Sequence, residues 1–421
     1  QKPDYRNLMG AQFLAQAGDG IVQAALAKFI AFGGQEGFEL EGAKDPDQLL
    51  AMVLTLFVPY TIISPFLGVV IDRWDRRRLL FLANGFRGLV VLTIGLVGVN
   101  AVPEATLLVA FLLTLSSTRI VLATKGAALP ETVGDSSLVE ANAVSQLGGA
   151  LFQLGGGGAA FVATSVLPVQ PVAIVGGLVY AVGAAFGLAV RHAGEVRPKS
   201  SFGRELASVV RNIIDGLKMV GRTPKAGAAI TTYFWLRYLW SFTIVGIGFV
   251  ARDLLGEEDF VILALTGGAG AAGAALGFVM ANRLTERVGS TAKLVLAAGG
   301  VAGAAVVLFG GLKFNVALAV LTFFLGAGFF LAKISLDTMV QEALGDDFRG
   351  RAFALYDIAY NIAWVMAAGL LKLTYSEGAL NALIAGNGVV FLIGLAGIAL
   401  WFKRAGLLDL THAPKSAATV K

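Results

Sequence analysis

Apolar stretches of membrane-crossing length recur along the whole chain, separated by short polar segments. A spanning helix needs roughly 20 mostly apolar residues. Stretches 8–33, 49–71, 79–99, 103–124, 137–164, 169–190, 226–251, 260–281, 293–312, 315–340, 351–374 and 380–402 meet that requirement. The pattern predicts an all-α polytopic membrane protein with twelve transmembrane helices. The first stretch carries Gln12, Gln16 and Asp19 and shows no cleavage-site pattern, so it is read as a membrane helix and not as a signal peptide.

The pattern also repeats. Glu131, Gly134, Asp135, Ala141 and Ala143 follow the fourth stretch, and Glu342, Gly345, Asp346, Ala352 and Ala354 follow the tenth at one constant offset, half the chain. Leu67-Gly68 with Arg73 at the second stretch resembles Leu276-Gly277 with Arg283 at the eighth. Such repetition predicts two pseudo-symmetric six-helix bundles, as in parallel-duplicated transporters. The expected division is a bundle at 1–190, a linker at 191–225, a second bundle at 226–403 and a tail at 404–421. Within the linker Phe202, Leu206, Val209, Ile213, Leu217 and Val220 recur at helical spacing between Arg204, Arg211, Asp215 and Lys218. That describes an amphipathic surface helix, most simply a tether.

Composition agrees with lipid as the solvent: 56% hydrophobic and 14% charged residues, against about 45–50% apolar and about 25% charged in soluble chains. The 54 glycines suit closely packed membrane helices. The net charge of +5 is sorted by loop and therefore implies orientation, with no nucleic-acid partner expected. Positive charge gathers at 72–78, 191–225, 282–293 and the tail, whereas 34–48 and 252–259 are acidic. Positive segments stay cytoplasmic, which places both termini and the linker inside a bacterial-type plasma (inner) membrane. Cysteine is absent and both histidines, His192 and His412, fall in polar segments. A thiolate site or an intramembrane histidine relay is thereby excluded, and no metal or cofactor is expected. No Gly-Lys-Ser/Thr phosphate loop occurs, so an ion gradient, most simply of protons, is the expected energy source.

The segment Gly68-Val69-Val70-Ile71-Asp72-Arg73-Trp74-Asp75-Arg76-Arg77-Arg78 resembles the signature between the second and third helices of the major facilitator superfamily. The resemblance implies a cytoplasmic latch built from Gly68, Asp72, Arg73, Arg76 and Arg77, with Asp72 meeting the start of the eleventh helix. Arg119 resembles the lone membrane arginine of proton-coupled antiporters of that superfamily. The glycine-rich fifth stretch (Gly148, Gly149, Gly155–Gly158) matches half of their third signature and lacks its proline. Gln12-Phe13-Leu14 to Gly18-Asp19, Ala83-Asn84-Gly85, and Lys125-Gly126 through Glu140-Ala141-Asn142 resemble macrolide-efflux-type exporters and the related lysophospholipid transporters.

An ionisable residue within a span costs roughly 2.5–3.5 kcal/mol on insertion scales and needs a partner, a wet cavity or a route to the surface. Asp19, Arg87, Arg119, Arg237, Lys333, Asp337 and Asp357 are of this kind. Asp19 is the leading candidate for proton coupling, and Arg119 is a second. Desolvation favours the neutral acid and a nearby arginine the carboxylate, so alternation between the two would load and release a proton; a fixed helix-locking pair is the alternative. Lys333 and Asp337 are spaced to pair with each other. Gln16, Arg87, Phe234, Arg237, Tyr238, Asp337, Asp357 and Asn361 are candidates for lining a substrate cavity. Phe234, Arg237, Tyr238 and Ser241 share a helical face; lipid-interface aromatics are the alternative. Phe323, Phe324, Phe329 and Phe330 read mainly as packing.

The expected activity is secondary active transport, with proton-coupled export of small amphipathic or hydrophobic compounds by alternating access. A lysophospholipid or lipid transporter is the second reading, and a nutrient or siderophore carrier a third. No nucleophile–base or metal constellation marks an enzyme. A monomer in contact with membrane lipids and an amphipathic or lipid substrate is expected.

Overall fold

The computed structural model describes residues 3–32, 50, 54, 61, 66, 74–98, 101–133, 138–191, 202–254, 260–343, 346–376 and 378–408. Twelve long helices occur among them: α1 (Pro3–Phe32), α2 (Arg76–Val97), α3 (Glu104–Val133), α4 (Leu138–Val166), α5 (Val169–Ala189), α6 (Phe202–Arg222), α7 (Pro224–Leu254), α8 (Phe260–Val288), α9 (Thr291–Phe309), α10 (Asn315–Ala343), α11 (Asp346–Thr374) and α12 (Leu380–Arg404). Eleven coincide with predicted spans, and α6 is the amphipathic linker helix. Almost all of the predicted span 49–71 lies outside the described residues, as do Gly68, Asp72 and Arg73. Among the described residues eight helices are long and apolar enough to cross a membrane, with shorter apolar helices at Leu265–Ala281 and Ile358–Thr374. The fourth span proves longer than its apolar run suggests: α3 continues through Pro130 to Val133.

The chain forms two compact units, Gln1–Val209 and Val210–Lys421, dividing within α6. Helix pairing inside each unit bears out the repeat. In the first, α1 packs on α3, α4 and α5, and α2 on α3 and α5. In the second, α7 packs on α10, α11 and α12, and α9 on α10 and α12. Counting spans from the start of each half, these are the same five pairings.

Lipid supplies little driving force for helix association, so close backbone packing must. Glycine makes it possible between α1 and α4. A Cβ at Gly156 would lie 2.4 Å from the Ala17 carbonyl oxygen, and one at Gly20 would lie 2.1 Å from that of Gln153. The neighbours Gly155 and Gly158 have open space around them. Similar contact joins α8 to α10, where a Cβ at Gly273 would meet the Phe323 carbonyl oxygen at 2.0 Å.

Substitutions within one four-glycine run should therefore diverge. Gly156→Ala is expected to cost about 1–3 kcal/mol through overpacking. Gly155→Ala and Gly158→Ala should be neutral or gain up to about 1 kcal/mol from helix propensity. Thermal unfolding of the three purified variants checks this.

Candidate functional site

Four helices of the first unit bring polar side chains to one buried point. α1 supplies Asp19, α2 supplies Asn84 and Arg87, α3 supplies Thr118, and α5 supplies Tyr180. Asp19, Asn84, Arg87 and Tyr180 are each at most 3% exposed. Arg87 Nη1 donates to Asp19 Oδ1 at 2.6 Å and to Thr118 Oγ1 at 3.0 Å. Its Nη2 donates to the Asn84 side-chain oxygen, one turn back on the same helix. Tyr180 OH donates to Asp19 Oδ1 at 2.7 Å, and its ring lies under the Arg87 guanidinium, 4.4 Å from centroid to Cζ. The Thr118 hydroxyl has one proton and two acceptors in reach, Asp19 Oδ1 at 3.0 Å and its own helix's Thr114 carbonyl at 3.2 Å.

The carboxylate is thus treated unequally. Oδ1 faces three donors, while Oδ2 is buried with no hydrogen-bond partner. Access for Tyr180 depends on Gly18, where a Cβ would lie 2.7 Å from the tyrosine ring. Val22, Val91 and Ala173 form a buried apolar cluster with Tyr180.

The arginine beside Asp19 is Arg87; Arg119, the other candidate for coupling, is half-buried on α3 one residue beyond Thr118. Tyr180 carries no charge and follows no motif, so nothing in the sequence marked it. Gln16 sits on α1 nearly a turn from Asp19, in a separate network: its Oε1 accepts from Gln12 Nε2 at 2.7 Å. Of the residues expected to form a latch, Arg76 donates to the Ala127 carbonyl at 3.0 Å and Arg77 to that of Leu188 at 2.6 Å. Both therefore tie the start of α2 to neighbouring helix backbones of the same unit.

In the second unit the expected common face on α7 divides. Tyr238 donates to Asn387 Oδ1 on α12 at 2.6 Å, and Trp235 donates to the Phe391 carbonyl at 2.9 Å. Arg237 instead faces α10 and α11. Its guanidinium lies 3.8 Å from the Tyr360 ring centroid, 5.3 Å from Trp364 and 5.7 Å from Phe329. Tyr233 stacks on Tyr356 at 3.7 Å beside it. Phe234 is half-buried and Asn361 fully buried, and the side chain of Asp357 on α11 lies outside the described residues. Phe329 packs against Trp240 and Phe330, in keeping with a packing role. Lys333 Nζ and Asp337 Oδ2 pair at 2.6 Å, as their spacing predicts. No cluster of three or more metal-ligating side chains occurs among the described residues.

Solved structures show whose fold this is. The chain superposes on the peptide transporter POT in complex with sulfate with a TM-score of 0.72, at 14% identity, over 97% of this chain and 96% of that one. For the nucleoside transporter NupG the TM-score is 0.67, at 14% identity over 94% and 99%. The architecture is that of a twelve-helix membrane transporter. Residues 8–368 match the Major Facilitator Superfamily, and the chain belongs to that family. An uncharacterized MFS-type transporter of Mycobacterium tuberculosis and one of Mycobacterium bovis are each 26% identical to it, over 93% of this chain and 90% of theirs. The protein is therefore a multi-pass membrane carrier.

Because a buried charge without its partner is far worse than a buried pair, Arg87→Gln is expected to destabilise the first unit by about 3–5 kcal/mol. The double variant Asp19→Asn/Arg87→Gln should recover part of that loss. Tyr180→Phe should cost about 1.5–3 kcal/mol, the value of a hydrogen bond to a charged group. A thermal-unfolding double-mutant cycle in detergent tests all three.

Proposed function

We propose that the protein is a proton-coupled exporter of small amphipathic or hydrophobic compounds that works by alternating access. The observation that carries this reading is the asymmetry at Asp19: three donors on one buried carboxylate oxygen and none on the other. An ionised carboxylate with a bare oxygen in apolar surroundings is poorly solvated, and a proton on Oδ2 relieves that. The Arg87 charge pulls the other way and favours release of the proton. A small change in the Asp19–Arg87 distance, or a swing of the Thr118 hydroxyl toward Thr114, tips the balance. Coupling follows when that change accompanies the switch between outward and inward access.

The aromatic surroundings of Arg237, from Tyr233, Phe329, Tyr360 and Trp364, support a hydrophobic or aromatic solute. The charge sorting of the loops supports cytoplasmic termini in a bacterial-type inner membrane. Arg76 and Arg77, with Gly68, Asp72 and Arg73, act in this reading as the cytoplasmic latch.

Proteoliposomes with an imposed pH gradient test the reading, comparing a fluorescent amphiphilic drug that carries a carboxylate with a labelled lysophospholipid. Drug movement that depends on the gradient is expected, and Asp19→Asn should abolish that dependence. Undiminished gradient-driven transport with normal proton release in Asp19→Asn would remove Asp19 from coupling. Movement of the lipid without any gradient would replace the exporter reading with lipid transport.

A further inference from the structure

A second polar network lies on the same face of α1 as Asp19, toward the N-terminal end of that helix, and shares no residue with the Asp19 cluster. Lys125 on α3 donates to Ser145 Oγ on α4 at 2.7 Å. Ser145 Oγ donates to Gln12 Oε1 on α1 at 2.8 Å. Gln12 Nε2 donates to the Ser145 backbone carbonyl at 2.8 Å and to Gln16 Oε1 at 2.7 Å. Gln12 and Ser145 are fully buried, whereas Lys125 and Gln16 are half-buried and form the open end.

The hydrogen-bond directions are fixed by elimination. A backbone carbonyl only accepts, so the Gln12 amide nitrogen must face Ser145 O, and its oxygen must face the Ser145 hydroxyl. The same amide nitrogen turns the Gln16 oxygen inward, which leaves the Gln16 NH₂ pointing outward. Lys125 has three N–H donors and uses one. The unused donors at the half-buried end are therefore two on a cation and two on an amide. Among the described residues no carboxylate pairs with Lys125. Gly149 makes room for both glutamines, since a Cβ there would sit 2.0 Å from Gln16 Oε1 and 2.7 Å from Gln12 Nε2.

A half-buried cation whose one partner is a neutral hydroxyl keeps donors to spare, and an excess of donors suits an oxyanion. We propose that Lys125 and Gln16, braced by Ser145 and Gln12, form a subsite for the oxyanion of an amphipathic solute, a phosphate or carboxylate carried on an apolar body. This names a substrate class for the transporter proposed above and rests on that reading for the transport step. Binding itself is independent of it.

The test is the melting temperature of the purified full-length protein, titrated with dodecyl phosphate, inorganic phosphate, dodecyltrimethylammonium or a neutral maltoside. Dodecyl phosphate is expected to raise it by several degrees, and the cationic and neutral amphiphiles should not. Lys125→Gln should weaken the dodecyl phosphate midpoint about tenfold or more, and Lys125→Arg should retain it. Gln16→Glu places a carboxylate at the open end, so it should abolish the shift while raising the protein's own melting temperature. An equal response to inorganic phosphate alone would support the oxyanion site and assign it to a free anion. An unchanged midpoint in both Lys125→Gln and Gln16→Glu, or an equal response to all amphiphiles, would overturn the proposal. No pH gradient enters this measurement, so failure of proton coupling and failure of the subsite remain distinguishable.

Discussion

A carboxylate in the middle of a lipid-spanning helix has no water to solvate it, and every neighbouring choice around Asp19 answers that problem. Arg87 brings the opposite charge, Asn84 and the Tyr180 ring hold the guanidinium, and Thr118 and Tyr180 add hydroxyl donors. Because these groups come from α1, α2, α3 and α5, the cluster ties four helices of the first unit together. Breaking it would leave buried charge without compensation, which lipid tolerates less well than water does. The one oxygen left bare is the only part of the carboxylate not committed to these contacts.

The duplicated scaffold uses that logic once. Both units repeat the same helix pairings, yet among the described residues only the first builds an ion pair at the junction of its first, third, fourth and sixth spans. At the corresponding junction of the second unit α7 and α12 are joined by the neutral bonds Tyr238–Asn387 and Trp235–Phe391. Its buried cation, Arg237, turns to the other side and rests on aromatic faces. Glycine is the shared device, because it lets backbones approach until only van der Waals contact holds them.

The spans and their repeat were legible in the sequence because helix length in lipid is a hard constraint, and Asp19 because a lone acid in such a helix is conspicuous. Its partner was not. Arg87 and Arg119 are both single arginines on adjacent spans, and which one meets Asp19 depends on how α3 is rotated about its axis. Thr118, one residue before Arg119, takes the facing position. Tyr180 and Ser145 carry no charge and no motif, so only packing reveals them. On α7 the helical spacing of Phe234, Arg237 and Tyr238 was real, but a face that wide touches α11 on one flank and α12 on the other. The Lys333–Asp337 pair was readable because its geometry is local to a single helix.

Proton coupling at Asp19 requires its carboxyl to take up and release a proton as its contacts with Arg87 and Thr118 shift. Infrared difference spectroscopy of the reconstituted protein across a pH titration observes that group directly. A protonated-carboxyl band that changes with pH and disappears in Asp19→Asn is expected. A spectrum in which no such band is lost on that substitution would contradict it, and would leave the Asp19–Arg87 pair as a structural lock.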